Sequence, residues 1–164
     1  MDVKVPKQVR PLLELERFLP YRLNVVAESV SRALSRLYAE RYGIGVAEWR
    51  VIATLGEYER MTAKQVGAHS RMHKTKVSRA VAALEDKGLI EREPNEEDMR
   101  EAFLALTGRG LRVYQDLVPR ALAFERALDK TLGNGERVHL DAILRRLEER
   151  AQELADDLAR RGTP

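Results

Sequence analysis

The stretch TAKQVGAHSRMHKTKVSRAVAALEDKGLIEREPNEEDMREAFLALT, Thr62–Thr107, decides the fold. It opens on Thr62-Ala63-Lys64-Gln65, a capping box in which the threonine hydroxyl accepts from the backbone N–H three residues on while the glutamine reaches back. A short helix is expected from there to about His69. Ser70 to His73 then makes a tight connection into Lys74–Lys87, where Val77, Val81 and Leu84 form an apolar stripe at helical spacing. Gly88 supplies a left-handed cap behind the basic Lys87. Beyond it, residues 89–93 and 101–106 are short enough for two strands, and Pro94-Asn95 is turn chemistry, so residues 95–100 become a hairpin tip. A short helix, a tight turn, a second helix and a hairpin wing make a unit that presents its second helix to the major groove.

Working outward, Pro20 suits the first turn of a helix, and Leu23, Val26, Val30, Ala33 and Leu37 continue it at steps of three and four until Gly43. Val46, Trp49, Ile52, Ala53 and Leu55 mark a shorter helix expected to stop at Gly56. Downstream, Thr107 is placed to cap a helix carrying Leu111, Tyr114, Val118, Ala121, Leu128 and Leu132. Pro119 inside it removes one hydrogen bond and should kink or divide it. After the break at Gly133-Asn134-Gly135 comes a heptad seam: Leu140, Leu144, Leu147, Ala151, Leu154 and Leu158. Such a seam serves either packing within the chain or a dimer, and a helix-turn-helix that reads two half-sites one turn apart favours the dimer.

Composition narrows the function classes. Charged residues make up 34% and aromatics 5% of 164 residues, a balance that fits long solvated helices. The net charge of +3 is too small to imply a polyanionic partner, so its distribution must decide. Between Met61 and Leu84 stand Lys64, Arg71, Lys74, Lys76 and Arg79 without one Asp or Glu, whereas Glu136–Arg161 carries seven acids and six bases. One face is therefore electropositive, and a phosphate backbone would bind there by displacing counterions.

With no cysteine, disulfides, thiolate metal sites and thiol nucleophiles are excluded. His69 and His73 straddle the expected turn, so a zinc site is not expected. Serine-hydrolase, dinucleotide and P-loop motifs do not occur, so neither catalytic residues nor a cofactor is expected and the chain does not read as an enzyme. No signal peptide and no apolar run of membrane length is visible; a cytoplasmic protein is the expectation.

If Val77, Val81 and Leu84 point inward, Thr75, Lys76, Ser78 and Arg79 face outward. Lys76 and Arg79 carry donors suited to guanine O6 and N7, and Thr75 and Ser78 can bond a base or a phosphate. Lys74 and Arg71, near the helix start, suit phosphates.

Four strings, in this order and spacing, resemble the MarR family of bacterial regulators: Met72–Val81, Leu84–Ile90, Asp98-Met99-Arg100 and Leu104–Thr107. The likeness runs from about Phe18 to the end of the chain. It implies a mainly α fold: residues 1–17 as an arm, 18–42 and 108–164 as a helical dimerisation region, and 43–107 as a winged helix-turn-helix lobe. It further implies a homodimer on a pseudo-palindromic operator in double-stranded DNA, with a small-molecule pocket between the dimerisation helices and the DNA-binding lobe. The family's Asp-x-Arg wing pattern falls on Asp98 and Arg100. Arg100 would enter the minor groove and Asp98 would orient it or the backbone beneath. Met99 stands where many members carry another arginine, which should weaken the wing's grip. Tyr21, Arg22, Trp49 and Arg50 fall on the helices bordering the ligand pocket; an arginine facing it would favour an anionic aromatic effector, a carboxylate or its thioester. Repression released by that effector is the expected mode. An activator of the same fold, or an architectural DNA-binding protein without a ligand, are the alternatives.

Overall fold

The computed structural model describes residues 11–96 and 98–162, which form six α-helices and three strands. Most of the expected N-terminal arm, residues 1–10, lies outside the described residues, as does Glu97 in the wing. A short 3-10 turn, Leu15–Arg17, precedes α1 (Leu19–Tyr42), α2 (Val46–Tyr58), β1 (Arg60–Thr62), α3 (Ala63–Ser70) and α4 (Lys74–Asp86). Then follow β2 (Ile90–Glu93), β3 (Phe103–Leu106), α5 (Gly108–Asp129) and α6 (Glu136–Arg161). The chain divides into two compact units, one up to Leu117 and one from Val118 on.

The first unit holds the core. Val77, Ala80, Val81 and Leu84 are buried along one face of α4, and they pack with Val51, Ile52 and Leu55 of α2 and Val66 of α3. Removing each of these valine, leucine and isoleucine side chains from water stabilises the fold by about 1.5–3 kcal/mol. Tyr38, near the end of α1, joins the same cluster. The capping box forms as its residues require: Gln65 N–H donates to Thr62 Oγ1 at 3.3 Å, and Thr62 N–H donates to Gln65 Oε1 at 2.8 Å. Behind α4, Gly88 takes φ +64°, a conformation costly for any residue with a β-carbon.

Three details differ from the sequence reading. The wing is not a lone hairpin: β1 joins it in an antiparallel sheet of order β1-β3-β2, with Met61 opposite Leu104 and Glu91 opposite Ala105. Three residues are too few to show alternation, and β1 is recognised only by its pairing. Secondly, α2 does not stop at Gly56. It continues to Tyr58, and Gly56 instead admits the ring of Tyr114, whose Cε2 lies 2.3 Å from where a β-carbon would stand. Thirdly, of the two outcomes expected at Pro119, division does not occur: α5 runs from Gly108 to Asp129.

Thr107 caps α5 as expected, its hydroxyl accepting from Gly110 N–H at 3.0 Å and donating to the Gly88 carbonyl at 2.8 Å. This draws the start of α5 onto the end of the α4 segment. In the second unit, Arg137 gathers Glu125, Asp129 and Asp141, tying the end of α5 to the start of α6. The hydrogen bond to Asp129, then that to Glu125, raises the guanidinium's pKa further above its usual range. No residue of α6 is buried within the chain. Among the described residues no helix is long and apolar enough to cross a membrane.

Gly110 carries the tightest backbone approach: a β-carbon there would lie 1.9 Å from the Leu89 carbonyl oxygen. Gly110→Ala is therefore expected to cost about 1–3 kcal/mol or more, as other overpacked sites do. The measurement is the urea midpoint at fixed protein concentration; a midpoint equal to that of the parent would disprove the contact.

Candidate nucleic-acid interface

The second helix of the motif, α4, is set up from its N-terminus. α3 closes with Arg71 in the left-handed region (φ 54°), and Met72 N–H reaches back to the Gly67 carbonyl at 3.0 Å. Met72 is buried beneath the turn, so the connection is pinned by packing as well as by hydrogen bonds. His73 then caps α4, its Nδ1 accepting from Thr75 N–H at 3.4 Å. With one face of α4 fixed inward, Lys74, Thr75, Lys76, Ser78 and Arg79 are all exposed.

These side chains divide between two concavities. One, of about 660 Å³, is walled by Thr75, Lys76 and Arg79 of α4 and by residues 45–48 at the start of α2. The other, of about 680 Å³, is walled by Lys64 of α3, Lys74 and Ser78 of α4, and Arg92, Arg100 and Glu101 of the wing. Thus α4 stands as a ridge between two hollows. That shape matches a helix lying in a major groove with a sugar-phosphate strand on either side.

The charge placement runs against helix stability. The first turn of α4 holds Lys74 and Lys76 and no acid, although the helix dipole there favours negative charge. Each misplaced cation costs about 0.3–1 kcal/mol. An approaching phosphate reverses the sign of that interaction, which makes the arrangement intelligible as binding chemistry.

The wing is held to this helix. Arg92 on β2 makes a two-point contact with Glu85 of α4, Nε to Oε1 at 2.6 Å and Nη2 to Oε2 at 3.0 Å. The hydrogen bond raises the Arg92 pKa and fixes its guanidinium. At the tip, Asp98 Oδ1 accepts from Arg100 N–H at 3.0 Å, while Asn95 Oδ1 accepts from Asp98 N–H at 3.3 Å. Of the two roles expected for Asp98, the geometry gives it the backbone under Arg100.

The structure therefore brings Lys74, Ser78 and Arg100 to one hollow and Thr75, Lys76 and Arg79 to the other, with Arg71 at the turn beside them. Lys64 and Arg92 share the wing hollow and were not singled out from the sequence. Lys64 was visible as part of the acid-free basic run. Arg92 carried no signal, because its tie to Glu85 crosses a helix-to-strand turn.

The four residues considered for a ligand pocket are not brought together within one chain. Trp49 stacks on Tyr38 at 5.6 Å between ring centroids, and both pack with the core. Burial pushes the Tyr38 hydroxyl pKa up, and the charge of the exposed Arg50 offsets part of that. Tyr21 and Arg22 are exposed near the other end of α1, about 25 Å along the helix axis from Tyr38. Among the described residues no group of three or more His, Asp or Glu side chains is arranged to hold a metal ion.

The model of the MarR family matches residues 42–101. The HTH-type transcriptional regulator PecS of Dickeya dadantii is 27% identical over 143 residues, 85% of this chain and 86% of that protein. A MarR/EmrR family transcriptional regulator from Acinetobacter sp. ADP1 is similar in structure with a TM-score of 0.78 at 26% identity, covering 86% of this chain and 99% of that one. A mutant MarR of Escherichia coli, solved in complex with operator DNA, shares the fold with a TM-score of 0.72 at 22% identity, over 79% and 92% of the two chains. These relatives are transcriptional regulators.

Asp98→Ala should release the Arg100 amide, at a cost of about 1 kcal/mol for one hydrogen bond. The expected readout is roughly fivefold faster hydrogen exchange at Arg100, with core amides unchanged. Equal exchange in parent and variant would show that Asp98 does not hold the turn.

Proposed function

We propose that this chain is a transcriptional regulator of the MarR kind that binds a pseudo-palindromic operator as a homodimer, represses transcription and is released by a small effector. The observation that carries this reading is the two-faced α4: four apolar side chains buried, five polar or cationic ones exposed on a ridge beside the wing. Lys76 and Arg79 are the proposed readers of base edges, with Thr75 and Ser78 beside them. Lys74, Arg71 and Lys64 are the proposed phosphate contacts, and Arg100 the minor-groove probe. Asp98 contributes by shaping the wing. That a protein of the same fold was solved on operator DNA supports this docking.

The proposed second subunit would pack on α6. Its seam leaves Leu140, Leu144, Leu154 and Leu158 exposed, and neighbouring Val138 and Ile143 are exposed as well. A helix of 26 residues with no buried side chain needs a partner to be stable in water. Two-fold pairing would set two copies of α4 about 34 Å apart, one helical turn of DNA. For the effector, Trp49 and Arg50 at the seam of α1 and α2, and Tyr21 and Arg22 near the start of α1, are the proposed contacts. An anionic aromatic compound is the proposed class. It can lift repression only by as much as it prefers the conformation that does not fit DNA.

Fluorescence anisotropy with the duplex upstream of the chain's own gene, against scrambled duplex, tests the reading. A preference of about a thousandfold or more is expected, and equal affinities would refute sequence-specific regulation. Arg79→Ala should cost about 1–3 kcal/mol on the operator, whereas Lys74→Ala should weaken all duplexes alike and flatten the salt slope by about one. Separately, Leu144→Glu should convert a dimer into a monomer in analytical ultracentrifugation; a parent protein that is already monomeric would remove the two-headed mode.

A further inference from the structure

The hollow beside Lys76 and Arg79 has an acid in its wall. Glu48, in the first turn of α2, lines the same concavity as Thr75, Lys76 and Arg79 of α4. Under the proposed docking a sugar-phosphate strand runs through it, and a carboxylate there repels phosphate. A local demand keeps the acid in place. The residue before α2 is Gly45, which has no side chain to cap the helix, and Glu48 Oε2 accepts the Gly45 N–H instead. A carboxylate in the first turn also suits the positive end of the helix dipole. The stability of α2 and the affinity of the hollow thus make opposite demands on one side chain.

Lys87 reconciles them. It follows the last residue of α4, about 12 Å along the axis beyond Arg79. Its Nζ donates to Glu48 Oε1 at 2.9 Å and to the Gly43 carbonyl at 2.9 Å. The backbone beneath it is held too, since Arg109 Nη1 donates to the Lys87 carbonyl at 3.0 Å. Both oxygens of Glu48 are therefore occupied, one by Gly45 N–H and one by the ammonium. The Glu48 side chain is only 13% exposed and that of Lys87 34%. Water screens so enclosed a carboxylate poorly, and the ammonium beside it supplies the compensating charge.

We propose that Lys87 is a positioning residue for DNA binding: it acts through Glu48, cancelling the charge of an acid that α2 needs at its N-terminus and that the groove-facing hollow would otherwise present to phosphate. Lys87 is not a contact to DNA itself. A duplex seated on the first turns of α4 leaves the far end clear, because the helix rises about 20 Å between Lys74 and Lys87. The proposal rests on the seating of α4 in a groove, but not on sequence preference, since repulsion between Glu48 and phosphate is the same on every duplex.

Fluorescence anisotropy of the full chain, on the duplex upstream of its own gene and on scrambled duplex, tests the pair. Lys87→Met should weaken binding to both duplexes by about tenfold, and Lys87→Arg should bind as the parent does. Lys87→Met/Glu48→Gln, whose pair is neutral like the original, should return to within about threefold of the parent. Glu48→Gln alone should bind both duplexes about threefold tighter. That variant keeps an amide oxygen for Gly45 N–H, so it reads the charge even if Lys87→Met fails to fold, which the urea midpoint reports. Parental affinity in Lys87→Met, or no gain in Glu48→Gln, overturns the proposal. A double variant no better than Lys87→Met also overturns it: Lys87 is then a phosphate contact if the salt slope falls by about one, and a purely structural tie if the slope is unchanged. Failure of the parent to prefer the upstream duplex would sink the regulatory reading alone, because the effect of Glu48 is read equally on scrambled DNA.

Discussion

The inward face of α4 is the constraint on which the rest depends. Val77, Ala80, Val81 and Leu84 recur at the helical period and are buried against α2 and α3, so the rotation of the helix about its axis has one solution. Turning it by one residue would bury Lys76 or Ser78 without partners and expose leucine or valine, at several kcal/mol. Everything that faces outward does so by exclusion. The exposed set on α4, Lys74, Thr75, Lys76, Ser78 and Arg79, is thus a by-product of packing: the core selects which side chains remain outside.

Electrostatics supplies the second layer. Several acids of the first unit are matched to cations: Glu85 with Arg92, Glu48 with Lys87, Asp116 with Arg41. Most of these pairs are partly solvated, so each adds little to stability on its own. Their effect is to neutralise carboxylates that would otherwise lower the potential around α4. The second unit shows the opposite arrangement, with Arg137 gathering three acids at one helix junction. Near neutrality of the whole chain therefore coexists with a strongly basic edge.

How much of this was legible in the sequence follows from the range of each interaction. Caps act over three or four residues, and Thr62-Gln65, Thr107 and Gly88 read correctly. Helical periods act over a dozen residues, and α1, α4 and α6 read correctly as well. What escaped was long-range or compressed. β1 is three residues whose strand character exists only through β3, more than forty positions away. Gly56 looked like a terminator because nothing local reveals the Tyr114 ring against it. Arg92 and Arg109 carry no signal in the sequence, because each is held by a partner that only the tertiary fold brings near.

The two ends of α4 meet different demands, and this gives the fold a means of control. At the start, His73 is a long, exposed cap and the first turn carries lysines that the helix dipole disfavours. That end is the less stable, and under the proposed docking a DNA phosphate would complete it. At the other end, Lys87, Gly88 and Thr107 bind α4 to α1, α2 and α5 through four hydrogen bonds. A helix of thirteen residues is too short and too well packed to bend between them. Any change in how its end is tied is therefore transmitted as movement of the whole rod, and a shift of about an ångström at Lys87 displaces Arg79 and Lys76 by a similar amount. Hydrogen bonds to bases tolerate little displacement before they weaken, so under the proposed docking the rigidity that aims Lys76 and Arg79 would also make them sensitive to the far end of their own helix.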